Sequence, residues 1–334
     1  MGETVGQLGE KRLLQQVILP MINPGQNPHL AGDDCGIVGI GSGQIVCVST
    51  DRVPWDLTAY HLKIMSEYDL GYYLAVLNIS DIAAMGAKPT GLLLNIALPS
   101  DFPIKDLVQI FKGALAAATE YNCSIIGGDL SEAHEPSLCA TSIGYTNAGE
   151  CIFRKGSQPG DSIVMTPPFG LCATAFRYYR DAKPHGMILE KSSEEALKAA
   201  LIRPVPQIAT GQRLARHNGR VTVMDNTDGL SQTIVELAEI NQMHYSIDVD
   251  LLTIDELTNR VGAFLGEDPI SIGMGPGADM NLVGTVDDAS IIDGKEIVRI
   301  GTVQEGSGVS ITTSGATRPL KPNGWDYFTK CGTQ

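Results

Sequence analysis

Aspartates recur where short apolar runs end, and this pattern limits the chain's folds more than any other feature. Ile45-Val46-Cys47-Val48-Ser49-Thr50-Asp51, Ser124-Ile125-Ile126-Gly127-Gly128-Asp129 and Val221-Thr222-Val223-Met224-Asp225-Asn226-Thr227-Asp228-Gly229 each read as a strand running into a carboxylate. β-Branched residues favour extended backbone, and the Gly and Asp that follow favour turns. Residues 91–98, 138–145, 162–166 and 244–249 read as further strands. Between them lie helix patterns at 70–85, 104–121, 171–180, 194–202, 207–216 and 230–241. Asp69 is the expected N-cap of the first of these and Gly86 its C′ residue. Residues 11–19 read as an entry helix stopped by Pro20. Strands and helices mix in both halves, and Pro159-Gly160 marks a turn near the middle. The expectation is an α+β (mixed α/β) fold of two domains, 1–150 and 151–334.

The chain has 334 residues, 43% of them hydrophobic, enough to bury a core without staples. It carries 38 acidic against 24 basic residues, a formal charge of −14. Binding to nucleic acid or to an anionic membrane runs on Lys and Arg, so neither is expected as a partner. No run approaches the ~20 apolar residues of a membrane span. Met1-Gly2-Glu3 opens without a basic and then apolar leader, and the seven cysteines form no C-x-x-C. A cytoplasmic location is therefore expected.

Taken singly, an Asp beside a Gly is a turn or a helix cap. Asp81 resists that reading. It sits inside an apolar helix, with Asn78 on the same face, and a buried carboxylate is costly unless paired or bound to a metal. Strand-end loops of α/β folds are also where ligands bind. Asp34, Asp51, Asp81, Asp129, Asp225 and Asp228 gathered in one cleft would repel one another unless several divalent cations lay between them. Mg²⁺ takes oxygen ligands and bridges carboxylates to phosphates, so the pattern points to a Mg²⁺–nucleotide site. No P-loop, dinucleotide fingerprint or protein-kinase catalytic loop is present. Gly273-Met274-Gly275-Pro276-Gly277 could offer backbone N–H groups to an anion, or be a plain surface loop.

Several blocks resemble, in order and spacing, the motifs of the thiamine-monophosphate kinase family. They are Gly32-Asp33-Asp34-Cys35, Ser49-Thr50-Asp51, Asn78-Ile79-Ser80-Asp81-Ile82-Ala83-Ala84-Met85-Gly86-Ala87, Gly127-Gly128-Asp129, Arg154-Lys155-Gly156-Ser157-Gln158-Pro159-Gly160-Asp161, Asp225-Asn226-Thr227-Asp228-Gly229-Leu230 and Gly324-Trp325-Asp326-Tyr327-Phe328. The resemblance implies an aminoimidazole-ribonucleotide-synthetase-like fold. It further implies a homodimer whose N-terminal domains pair into a β-barrel-like core, with ATP in a cleft between domains. It implies Asp34, Ser49, Thr50, Asp51, Asp81, Asp129, Asp225 and Asp228 as Mg²⁺ ligands. Gly128, Asp129, Arg154 and Thr227 would contact ATP, Thr227 standing where the family has Ser. The implied reaction moves the γ-phosphoryl group of ATP to the phosphate of thiamine monophosphate.

The acceptor side departs from the family. Thr58 occupies the position of a substrate-contacting His, and His61 would need a shifted loop to replace it. Ala278 stands where the family has an acidic residue, whereas the aromatic Trp325 persists. Two other readings follow: an ATP-dependent enzyme of the same superfamily acting on another acceptor, or a nucleotide-binding regulator without turnover. Cys331 bears weakly on the former, since a relative in hydrogenase maturation uses a terminal Cys.

Overall fold

The computed structural model describes residues 4–22 and 32–325. Two open sheets organise them. The first comprises β1 (Gly36–Gly41), β2 (Gln44–Val53), β3 (Lys88–Leu98), β4 (Ser124–Glu132) and β5 (Ser137–Asn147), in the order β1-β2-β5-β3-β4. All neighbours are antiparallel except β3 and β4. The second comprises β6 (Ser162–Met165), β7 (Val221–Asn226), β8 (His244–Asp248), β9 (Asn281–Val286), β10 (Val298–Gln304), β11 (Gly308–Thr313) and β12 (Ala316–Pro319). Its order is β12-β11-β8-β10-β6-β9-β7, with only β8 and β11 parallel.

The longer helices are α1 (Glu67–Ala84), α2 (Ile104–Glu120), α3 (Leu171–Arg177), α4 (Lys191–Ile202), α5 (Ile208–Ala215), α6 (Leu230–Asn241) and α7 (Glu256–Leu265). Helix α1 is buried on nearly every face, as its almost continuous apolar sequence requires. It lies against the first sheet and crosses α2 at two glycines. A Cβ on Gly71 would sit 1.8 Å from the carbonyl oxygen of Ile110, and one on Gly113 1.8 Å from that of Tyr68. No other residue type permits backbones to approach that closely. The C-terminal end of α1 also meets α5 and β7, so this helix joins the two halves.

Several sequence expectations are refined. The N-cap of α1 is Ser66, and Asp69 is its partner three residues on, closing a reciprocal capping box. Helical turns of the entry segment continue past Pro20 to Ile22, because after a π turn over Leu14–Ile18 Pro20 falls in the first turn of a new helical piece, Leu19–Ile22, where its missing N–H is tolerated. Strand β4 runs on to Glu132 because it pairs with all of the second half of β3. Asp51, Asp129 and Asp225 lie within their strands rather than beyond them. The C-terminal strands β9 to β12 did not stand out in the sequence. They are short, Gly284 and Gly301 interrupt two of them, and pairing within the sheet fixes them.

Candidate active site

A cleft of about 400 Å³ opens between the two halves, and the acidic residues converge in it. Strand β2 supplies Ser49 and Asp51, the last turn of α1 supplies Asp81, and β7 supplies Asp225. The loop after β7 adds Thr227 and Asp228, and the segment before β1 adds Asp33 and Asp34. One oxygen each from Asp34, Asp81 and Asp225 lies within 4.8 Å of the others, and all three residues are buried.

Neutral donors hold these carboxylates in place. Ser49 Oγ donates to Asp81 Oδ2 at 2.7 Å, and Ser80 Oγ donates to Asp225 Oδ2 at 2.6 Å. The Asp51 backbone N–H donates to Asn78 Oδ1 at 2.9 Å, fixing β2 to α1. Asn78, Ser80 and Asp81 are thus three contacts of one helix end with both sheets. That end carries the negative pole of the helix and no basic residue in its last turn.

One cation serves the cluster directly. Arg154 Nη2 donates to Asp34 Oδ1 at 2.6 Å, and the Arg154 backbone N–H donates to Asp33 Oδ2 at 3.0 Å. Asp34 Oδ2 is buried and has no hydrogen-bond partner. An ionised buried oxygen left so is costly, and a hard cation among three carboxylates is the group that satisfies it. Burial, with Asp51, Asp225 and Asp34 nearby, pushes the Asp81 carboxyl well above its ordinary range. Burial and Asp34 do the same to Asp225, opposed by the Ser80 hydrogen bond. Burial raises Asp51, and burial with Asp34 lifts Asp33 to about 7. The donor set therefore suits Mg²⁺, with Asp34, Asp81, Asp225 and Asp51 as the residues that would hold it.

The remaining candidates divide. Arg154, Thr227, Asp228, Thr58, Ala278 and Trp325 line the cleft, with Pro276 and Gly277 of the glycine-rich loop beside Ala278. Thr50, Gly128, Asp129 and His61 do not. Alternation along β2 turns Thr50 to the opposite face, where its hydroxyl donates to the Ala140 carbonyl at 2.9 Å. Asp129 is exposed on the edge strand β4, opposite Asn95 and three strands from β2. Gly128 lies beside it, and His61 is exposed at the end of a short helical turn. Cys331 and the Asp326-Tyr327-Phe328 block lie outside the described residues.

Residues the motifs did not single out also belong here. Ser80 orients Asp225. Lys11 pairs with Asp228 and with the buried Glu236. Ser80 was legible as the neighbour of Asp81. Lys11 was not, because nothing in the entry helix signals where it docks. Asp279, the acidic residue next to Ala278, accepts from the Gly170 and Cys172 backbone N–H groups at 2.8 and 2.7 Å, capping α3. Burial holds its carboxyl up at about 6.

Residues 32–146 match the family described as AIR synthase related protein, N-terminal domain. A thiamine-monophosphate kinase of Synechococcus elongatus is 31% identical over 247 residues, covering 72% of each chain. One from Pyrococcus horikoshii is 27% identical over 302 residues, covering 90% of this chain and 91% of its own. Among solved structures, AaThiL complexed with AMPPCP and TMP superposes with a TM-score of 0.84 at 21% identity, over 98% of this chain and 99% of that one. The hydrogenase maturation protein HypE in complex with ATP superposes at 0.66 and 19% identity, over 93% of each. The structural likenesses establish the fold, and the sequence relationship establishes the kinship: the chain belongs to the thiamine-monophosphate kinase family.

Proposed function

We propose that this protein is a Mg²⁺-dependent ATP phosphotransferase that converts thiamine monophosphate to thiamine diphosphate. The observation that carries the reading is the buried Asp34–Asp81–Asp225 cluster, with an unpartnered oxygen, in a cleft of this family's fold. Bound Mg²⁺ would neutralise the acidic wall and stabilise charge on the phosphoryl group in flight. Asp34, Asp51, Asp81 and Asp225 would hold the ions, assisted by Ser49 and Asp228. Arg154 and Thr227 would orient the triphosphate of ATP, whose γ-phosphoryl passes to a phosphate oxygen of the acceptor and leaves ADP. The chain contributes positioning and charge, and no covalent intermediate is required.

The first domain, residues 1–150, would bear most of the metal ligands, and the second, 151–334, would close the cleft. A homodimer fits the outer face of the first sheet. Register there aligns Val38, Val46 and Tyr145 across three strands, and Val38 and Tyr145 are 58% and 38% exposed. Thr50 and Asp129 open on this side, so a second copy would bring them, with Gly128, toward a shared site. A cytoplasmic enzyme accords with the absence of a membrane-length apolar helix among the described residues.

A second reading keeps the ATP half and changes the acceptor. Ala278 offers no charge to a cationic ring, and the Asp279 carboxylate is occupied by α3. One assay separates the two. The purified protein is incubated with ATP, Mg²⁺ and thiamine monophosphate, and the products are separated by chromatography. Thiamine diphosphate appearing with ADP in equal amounts supports the first reading. ADP formation stimulated only by another metabolite supports the second, and ATP binding without any turnover refutes both.

A further inference from the structure

The cleft already holds a tethered cation at one end. Lys11 lies on the helical segment 5–22, in contact with residues more than two hundred positions away. Its Nζ is 2.7 Å from Asp228 Oδ2 and 2.8 Å from Glu236 Oε1. Glu236 is buried on α6, where Gln232 Nε2 also donates to its Oε1 at 2.9 Å. Glu10, Lys11 and Leu14 share the cleft wall with Asp34, Asp81 and Asp225.

The two cations of the site leave different remainders. The Arg154 guanidinium satisfies one oxygen of Asp34 and leaves the other buried without a partner. Neither Asp228 nor Glu236 has a buried oxygen in that condition among the described residues. An ammonium has three donors and a compact charge, so one Lys11 serves both carboxylates at once. It occupies the space between Asp228 Oδ2 and Glu236 Oε1, where a divalent ion bridging the two would sit. An ion can therefore use the unpartnered Asp34 oxygen as it stands, whereas one bridging Asp228 and Glu236 through the oxygens that Lys11 holds must displace it.

We propose that Lys11 is a specificity-determining residue for cations: it fills the Asp228–Glu236 end of the cleft and so sets how many divalent ions the protein takes up before nucleotide binds. This rests on the reading of the acidic cluster as a metal site. It assigns the entry helix a part in the active site that none of the motifs foreshadows.

The test counts ions rather than turnover. Mn²⁺ is titrated into the full-length protein without nucleotide, and free Mn²⁺ is followed by electron paramagnetic resonance. Wild type, Lys11→Gln and Lys11→Arg are compared. Lys11→Gln should bind one ion more than wild type, or bind its last ion at least about tenfold tighter, since a unit positive charge at hydrogen-bond distance is removed. Lys11→Arg should match wild type. Lys11→Gln binding the same number at the same affinity, or fewer, overturns the proposal while leaving the metal site standing. If no form binds Mn²⁺, with or without a non-hydrolysable ATP analogue, both the metal reading and this inference fall.

Discussion

Asp81→Asn should make the metal-free protein more stable and the metal-loaded protein less so. Asp81, Asp34 and Asp225 offer oxygens within 4.8 Å of one another. At an effective dielectric of about 20, two unit charges at that separation repel by about 3.5 kcal/mol. Proton uptake caps the penalty. Neutralising a carboxyl whose ordinary pKa is 3.8 costs about 1.4 kcal/mol for each pH unit above it, hence about 4 kcal/mol at pH 7. Asparagine removes the charge and keeps an oxygen to accept from Ser49 Oγ. A gain of about 2–4 kcal/mol follows for the metal-free form, or about 3–6 °C in Tm at about 2.1 cal/mol/K per residue. Thermal unfolding with EDTA, and then with Mg²⁺ and an ATP analogue, measures both effects. Wild type should gain from Mg²⁺ and the analogue, whereas Asp81→Asn should gain little. A variant less stable than wild type in EDTA, yet equally responsive to Mg²⁺ and analogue, would refute the reasoning.

The pH dependence has a defined sign. Asp81, Asp225 and Asp51 have raised folded-state pKa values, so the folded protein binds their protons more tightly than the unfolded chain does. Their destabilising effect is absent below about pH 4, grows as pH rises through the shifted values, and is complete above them. Mg²⁺ should thus raise Tm more at pH 8 than at pH 5.5, and equal shifts at the two would contradict this origin. Arg154→Met breaks a pair whose Asp34 side chain is fully buried, and should cost about 3 kcal/mol or more in urea unfolding as well as weakening ATP binding by isothermal titration. Gly71→Val or Gly113→Val places side-chain atoms inside the neighbouring helix backbone and should abolish soluble expression, while Gly149→Ala, with open space around it, should express normally.

The acidic motifs were legible because the chemistry needs carboxylates where the backbone turns or ends an apolar run. Asp34, Asp51, Asp81, Asp225 and Asp228 do share a cleft. The sequence could not separate Asp129 from them, because its distance from β2 depends on strand order, which puts β5 and β3 between. Strand alternation alone puts Ser49 and Asp51 on one face of β2 and Thr50 on the other. Asp69 alone looks like the helix cap, but Ser66, three residues earlier, starts the helix and takes Asp69 as its capping-box partner. Lys11 was invisible, since its role comes from where an isolated helical segment docks, and long-range contact leaves no local pattern.

The most direct test of the central claim is a crystal of the protein with Mn²⁺ and a non-hydrolysable ATP analogue, measured at a wavelength where manganese scatters anomalously. Anomalous peaks are expected among the carboxylates of Asp34, Asp81 and Asp225, at about 2.0–2.3 Å from their oxygens and in contact with the analogue's phosphates. Manganese found only elsewhere, with these three side chains coordinating nothing beside a bound triphosphate, would contradict it.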